Sequence, residues 1–256
     1  MIRVVGLGPG DPSLMTFQAA EALNWAETVV GYKGYIELIP AEALQGKDVV
    51  ATGMTGEMER TAAALDRAMA GERVVVVGSG DAGVYGLAGL VFELAEERGA
   101  LEELDIEIVP GVPALMAAAA LLGAPLVHDF ASVSLSDLLT PWELIESRLM
   151  HAAAGDFVIG LYNPRSKRRH WQLDRAREII LEHRSAATPV GIVRNAFRPG
   201  QEVRVATLGE LRSDDADMFS IILIGNSQSK VVQGRVVTPR GYLRKYDSET
   251  LLRRRK

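Results

Sequence analysis

Three short stretches pair glycine with residues able to contact a ligand: GLGPGDP at 6–12, GSGDAGVYG at 78–86 and VPGVPA at 109–114. Glycine lets the backbone take positive φ and come close to a bound molecule. Each stretch follows an apolar, β-branched run, and open α/β sheets collect ligands at the carboxyl ends of their strands. Three such loops could converge on one crevice. Residues 78–83 also match the G-x-G-x-x-G dinucleotide fingerprint, with Glu102, Glu103 and Asp105 near the distance expected of a ribose-binding acid. Asp81 argues against a pyrophosphate there, because like charges repel strongly in a desolvated pocket. Pro9 and Asp11 weaken the phosphate reading of the first loop, the proline by removing an amide donor. An acidic, glycine-rich turn suits instead a ligand with positive charge and hydroxyls, and S-adenosylmethionine, with its sulfonium and ribose, is one. A dinucleotide and a purely structural set of turns stay open as alternatives.

The adjacent pair His128 and Asp129 supplies residue types suited to general acid–base work, and Tyr162, closing an apolar run, is a further hydroxyl donor. The chain has four histidines and no cysteine. Cysteine nucleophiles, disulfides and thiolate zinc sites are therefore excluded, and the scattered histidines predict no protein-bound metal.

The elements that must position these residues alternate in the first half. Apolar runs at 2–5, 28–30, 73–77 and 106–109 read as strands, separated by helical spacing at 19–26, 58–69 and 87–98. This predicts an α/β domain with a mostly parallel sheet. The valine run within 73–77 reads as a strand buried on both faces, and Thr16 as the cap of the first helix. Pro113 and Gly123 bracket a short helix, and the domain boundary is placed there. The expected division is 1–113, then 114–242, then a basic tail at 243–256. In the second half Thr140, Pro141 and Glu143 read as a capping box. Runs at 157–162, 190–194, 202–206 and 219–224 read as strands, and the short Arg-Pro-Gly link before 202 favours an antiparallel hairpin. The second domain is therefore expected to be α+β with a mixed sheet.

Charge is unevenly shared. Residues 1–112 hold 7 Lys/Arg against 18 Asp/Glu, and residues 113–256 hold 21 against 15. The positive half suits a polyanionic small molecule, whereas an acidic chain with few aromatics lacks a nucleic-acid footprint. The start of the chain reads as strand and turn rather than as a leader, and the apolar stretch at 114–122 is too short to span a bilayer. A soluble, cytoplasmic protein without membrane contact is expected.

In order and spacing, the loops at 6–12, 79–86 and 109–114 resemble the three N-terminal signatures of the tetrapyrrole methylases. The segments GYKGYIELI (31–39), TGMTGEMERT (52–61), HDFASVSLSDLLTPW (128–142) and LYNPRSKRR (161–169) resemble one branch of that family. That branch methylates C-17 of a corrin precursor, metal-free or cobalt-loaded, and contracts its ring. The resemblance implies a two-domain homodimer that holds S-adenosylmethionine in a cleft between domains and releases S-adenosylhomocysteine. It implies donor contacts at Pro9, Ser79, Gly80, Asp81, Val84, Pro113 and Ala114. From the second domain it implies contacts at Tyr162, Asn163, Asn195, Ala196, Gly225 and Asn226. Other members usually carry Tyr-Met where Tyr162 and Asn163 stand, which leaves the Asn163 side chain an open question. Ring contraction requires proton transfers, for which His128, Asp129 and Tyr162 are the candidates. Carboxylate arms of the tetrapyrrole would meet Thr52, Thr55, Arg165 and Arg194, since guanidinium grips carboxylate bidentately.

Overall fold

A computed structural model describes residues 1–245, so most of the expected basic tail at 243–256 lies outside the described residues. The chain divides into two compact units. One is Met1–Ala117 together with Ala196–Pro199, and the other is Ala118–Asn195 with residues from Gly200 onward.

The N-terminal unit holds five strands: β1 (Ile2–Gly6), β2 (Thr28–Tyr32), β3 (Asp48–Thr52), β4 (Val74–Gly78) and β5 (Ile106–Val109). They lie in the order β3-β2-β4-β1-β5, and every pairing is parallel. Helices α1 (Phe17–Trp25), α2 (Lys33–Ile36), α3 (Glu57–Met69) and α4 (Ala88–Glu97) fill the crossovers, and α5 (Ala114–Leu122) follows β5. The four valines of β4 are fully buried. Val74 and Val76 share a cluster with Leu65 of α3 and Val91 of α4, while Val75 and Val77 join Ala19 and Leu23 of α1. Alternate side chains thus enter opposite layers, as a strand covered on both faces requires. Burying one such side chain contributes about 1.5–3 kcal/mol. Thr16 caps α1, its hydroxyl accepting from the Ala19 N–H at 3.1 Å. Strand β3, largely exposed at the sheet edge, is an addition to the sequence reading.

In the C-terminal unit, β6 (Gly123–Ala124) is followed by β7 (Phe130–Ser134), α6 (Trp142–Ala154), β8 (Val158–Tyr162) and α7 (Gln172–Leu181). Then come β9 (Pro189–Arg194), β10 (Glu202–Thr207), β11 (Ser220–Ile224), β12 (Lys230–Val232) and β13 (Arg235–Val237). The main sheet runs β10-β9-β11-β8-β7, with β7 and β8 parallel and the other pairs antiparallel. The expected hairpin is present, Glu202 facing Arg194. Leu149 of α6, Leu173 and Ile180 of α7, and Ile159, Leu161 and Ile222 of the sheet share one core. The expected capping box at Thr140 does not form. Pro141 takes the cap position with extended backbone and no side-chain cap bond, which leaves Thr140 one residue outside the helix. Among the described residues no helix is long and apolar enough to cross a membrane.

Candidate active site

The three glycine-rich loops leave β1, β4 and β5 at their carboxyl ends, and because the strands are adjacent the loops touch. Gly8 and Gly80 form a reciprocal backbone pair, Gly8 N–H to Gly80 C=O at 3.0 Å and Gly80 N–H to Gly8 C=O at 2.8 Å. Both have positive φ, +78° and +69°. The Leu7 N–H extends the contact to Gly78 C=O at 2.9 Å. Glycine is needed for this proximity. A Cβ on Gly111 would stand 2.1 Å from Gly80 O and 2.6 Å from Gly6 O, and one on Gly6 would stand 2.7 Å from Gly80 O.

Asp81 binds the set together. Its Oδ1 accepts from the Gly83 N–H at 2.8 Å and its Oδ2 from the Gly111 N–H at 2.9 Å. The second loop is thereby anchored to the third, and the carboxylate acts first as a positioning group. Ser79 and Gly80 share this cradle, Val84 is exposed on the rim, and Pro113 and Ala114 are half-buried at the start of α5. The dinucleotide alternative lacks its donors here. The Gly8 and Gly80 N–H groups donate to each other's carbonyls, and α4, the helix that would follow the fingerprint, begins only at Ala88.

Arg198 was not singled out by sequence. It lies in the short segment that belongs to the N-terminal unit. Its Nε donates to the Pro9 carbonyl, and a terminal nitrogen donates to Ser79 Oγ at 2.5 Å. Gly10 admits the stem, since a Cβ there would stand 2.5 Å from Arg198 Cγ. Burial lowers the Arg198 pKa, and Tyr35 counters that effect. Burial raises the Tyr35 pKa, against the opposing field of Arg198.

Thr52 and Thr55 sit at the end of β3 and just beyond it. Thr52 Oγ1 already accepts from Arg60 at 2.5 Å, while Thr55 is exposed with φ +72°. Arg60 itself is 4% exposed, held also by Gly53 C=O and by Glu57 at 3.1 Å.

In the C-terminal unit the predicted residues separate. Tyr162 ends β8 and Arg194 ends β9, with Asn163 and Asn195 following at φ +51° and +50°. The Asn163 side chain donates to Ser134 Oγ at 3.0 Å, and its carbonyl accepts from Arg169 Nε at 2.8 Å. The Asn195 N–H donates to Phe219 C=O at 3.1 Å, so the turn leading into β11 shares this end of the sheet. The sequence reading overlooked that turn. Ala196 belongs to the N-terminal unit.

Gly225 and Asn226 follow β11, which is antiparallel to β8, and so lie at the opposite end of the sheet. His128 and Asp129 are there too, because β7 runs parallel to β8 with Phe130 opposite Val158 and Ser134 opposite Tyr162. Five residues of strand, spanning about 13 Å, separate the two ends. Of the three acid–base candidates, His128 and Asp129 therefore stand at the opposite end of the sheet from Tyr162, as Gly225 and Asn226 do from Asn163 and Asn195. Strand β7, missing from the sequence reading, is the reason. His128 and Asp129 instead line a recess of about 300 Å³ with Asp156, Asn226, Gln228 and Arg240. His128 Nδ1 accepts the Asp129 N–H at 2.8 Å.

Both expected acceptor arginines already have acidic partners. Arg165 meets Asp214 at 2.5 Å, and Arg194 meets Asp217 at 2.7 Å and Glu202 at 3.2 Å.

A mostly parallel α/β unit, interlocked glycine loops at its strand ends and a mixed-sheet second unit define a class. Residues 1–212 match the tetrapyrrole (corrin/porphyrin) methylases, and the chain belongs to that family. It is 49% identical over 245 residues to a probable cobalt-factor III C(17)-methyltransferase of Salmonella typhimurium, covering 94% of this chain and 99% of that one. It is 42% identical over 248 residues to a precorrin-3B C(17)-methyltransferase of a Sinorhizobium species, covering 94% and 96%. Among solved structures it resembles the methyltransferase CobJ, with TM-score 0.89 and 40% identity over 93% of this chain and 99% of the other.

Proposed function

We propose that this protein is an S-adenosylmethionine-dependent C-methyltransferase of cobalamin biosynthesis, methylating C-17 of precorrin-3B or cobalt-factor III with ring contraction. The observation that carries the reading is the cradle of three interlocked loops, in a chain 49% identical to a probable cobalt-factor III C(17)-methyltransferase. When bound, the donor supplies an electrophilic methyl on a sulfonium. A ring carbon of the tetrapyrrole forms the new C–C bond as the S–C bond breaks, and S-adenosylhomocysteine leaves. No strong protein nucleophile is required. The chain's task is to orient two reactants and exclude water, which supplies much of the acceleration in such displacements.

In this reading the exposed edges of the loops at Pro9, Ser79, Gly80, Val84, Pro113 and Ala114 receive the donor, with Asp81 fixing their geometry. From the second unit Tyr162, Asn163 and Asn195 form one contact set. Tyr162 is the proposed proton-handling group, since it shares its strand end with the other two. The family resemblance further supports a cytoplasmic homodimer, which analytical ultracentrifugation tests. The function itself is tested by titrating the protein with S-adenosylmethionine and with NADPH, then supplying each acceptor with labelled donor. Donor binding and label in the tetrapyrrole are expected. Binding of NADPH in its place would overturn the reading.

A further inference from the structure

Arginines in the N-terminal unit follow a rule with one exception. Arg3, Arg60, Arg67, Arg73 and Arg98 each lie within 4 Å of a carboxylate, at Glu107, Glu57, Asp48, Glu27 and Asp66. Residues 1–112 carry 18 acids, so partners are abundant. Arg198 alone among the arginines of this unit has no carboxylate within that distance among the described residues, although it is half-buried. Its contacts are neutral: the Pro9 carbonyl, Ser79 Oγ and the neighbourhood of Tyr35. Both loop carboxylates are engaged elsewhere, that of Asp81 by the Gly83 and Gly111 amides and that of Asp11 by the Ser13 amide.

A partly buried cation without a counterion is costly, and the cost is recovered when an anion arrives. The arrangement is also specific. Nε and one terminal nitrogen fix the plane of the guanidinium against the first two loops, and Gly10 is the residue that lets the stem pass. A planar, oriented guanidinium is the group best matched to a carboxylate.

We propose that Arg198 is a carboxylate-binding residue of the donor loops, completed by a ligand rather than by the chain. This rests on the methyltransferase reading, which offers two carboxylate sources. One is the amino-acid end of S-adenosylmethionine, and the other is an acetate or propionate arm of the tetrapyrrole.

The test compares wild type with Arg198→Gln and Arg198→Lys by calorimetry, using S-adenosylhomocysteine and 5′-methylthioadenosine, which lacks the amino-acid end. Acceptor kinetics follow. If the donor carboxylate is the partner, Arg198→Gln weakens S-adenosylhomocysteine by about 10- to 100-fold, as loss of a charge-assisted hydrogen bond predicts, and leaves methylthioadenosine within threefold. If an acceptor arm is the partner, both nucleosides bind unchanged and KM for the tetrapyrrole rises about tenfold or more at similar kcat. Arg198→Lys recovers part of either loss, because it keeps charge without the fork. Equal weakening of both nucleosides would mark Arg198 as a structural strut and overturn the proposal, as would no change in any of these quantities. Wild type failing to bind S-adenosylhomocysteine would overturn the donor reading itself, and this proposal with it.

Discussion

The two sheets end in turns built in different ways. At the carboxyl ends of β1, β4 and β5 the loops are joined backbone to backbone, Gly8 to Gly80 and Leu7 to Gly78, with Asp81 bonding two further amides. At the ends of β8 and β9 side chains do the joining: Arg169 to Asn163, Asn163 to Ser134, and Arg194 to Asp217. The cradle has no room for a Cβ at Gly6, Gly8 or Gly111, and the Asp81 carboxylate is the charged group among these contacts. A side-chain lattice can be retuned by substitution, and it responds to pH.

The first prediction attacks the cradle. Gly111→Ala places a methyl 2.1 Å from the Gly80 oxygen, where only backbone can move. Forcing atoms into a packed site costs about 3 kcal/mol or more, and donor affinity measured by calorimetry falls by more than 100-fold. Asp81→Ala is next. It removes the acceptor of the exposed Gly83 amide, which water can replace, and of the part-buried Gly111 amide, whose loss costs about 1–3 kcal/mol. A lowered thermal midpoint is therefore expected together with weaker donor binding, in place of a purely local loss.

A third comparison separates the two ends of the C-terminal sheet. Tyr162→Phe lowers kcat for methyl transfer about tenfold, whereas His128→Asn changes it by less than threefold. The reverse order would place the chemistry in the recess beside Asp156.

The smallest effect concerns pH. Partial burial raises the Asp217 pKa, but bonds from Arg194, Ser220 and the Phe219 N–H outweigh it and hold the group below 3.8. A carboxylate with a depressed folded pKa contributes stability that is present above its unfolded value and is lost as pH falls through the folded one. Wild type therefore loses its margin over Asp217→Asn in chemical denaturation between pH 4 and more acidic conditions. A margin constant down to acid would remove Asp217 from this lattice. The pH window follows from the unperturbed aspartate pKa of about 4.

This contrast also explains what the sequence made visible. The valines of β4 alternate between two helical layers and announce a buried strand, and Gly6, Gly86 and Gly111 are demanded by backbone distances that no Cβ could meet. Strand β7 could not be read in that way. Its residues Phe130–Ser134 bury only Val133, so polarity hid the strand that carries His128 away from Tyr162. Arg198 was hidden by separation, since Ser79 is 119 residues from it and Pro9 is 189. Arg165 and Arg194 appeared available because their acidic partners, Asp214 and Asp217, lie 49 and 23 residues further along the chain.

Hydrogen-exchange mass spectrometry with and without saturating S-adenosylhomocysteine tests the cradle most directly. Slowed exchange concentrated in residues 6–12, 78–86 and 109–114 is the expected result. Tight binding that leaves those three loops exchanging at their original rates would contradict it.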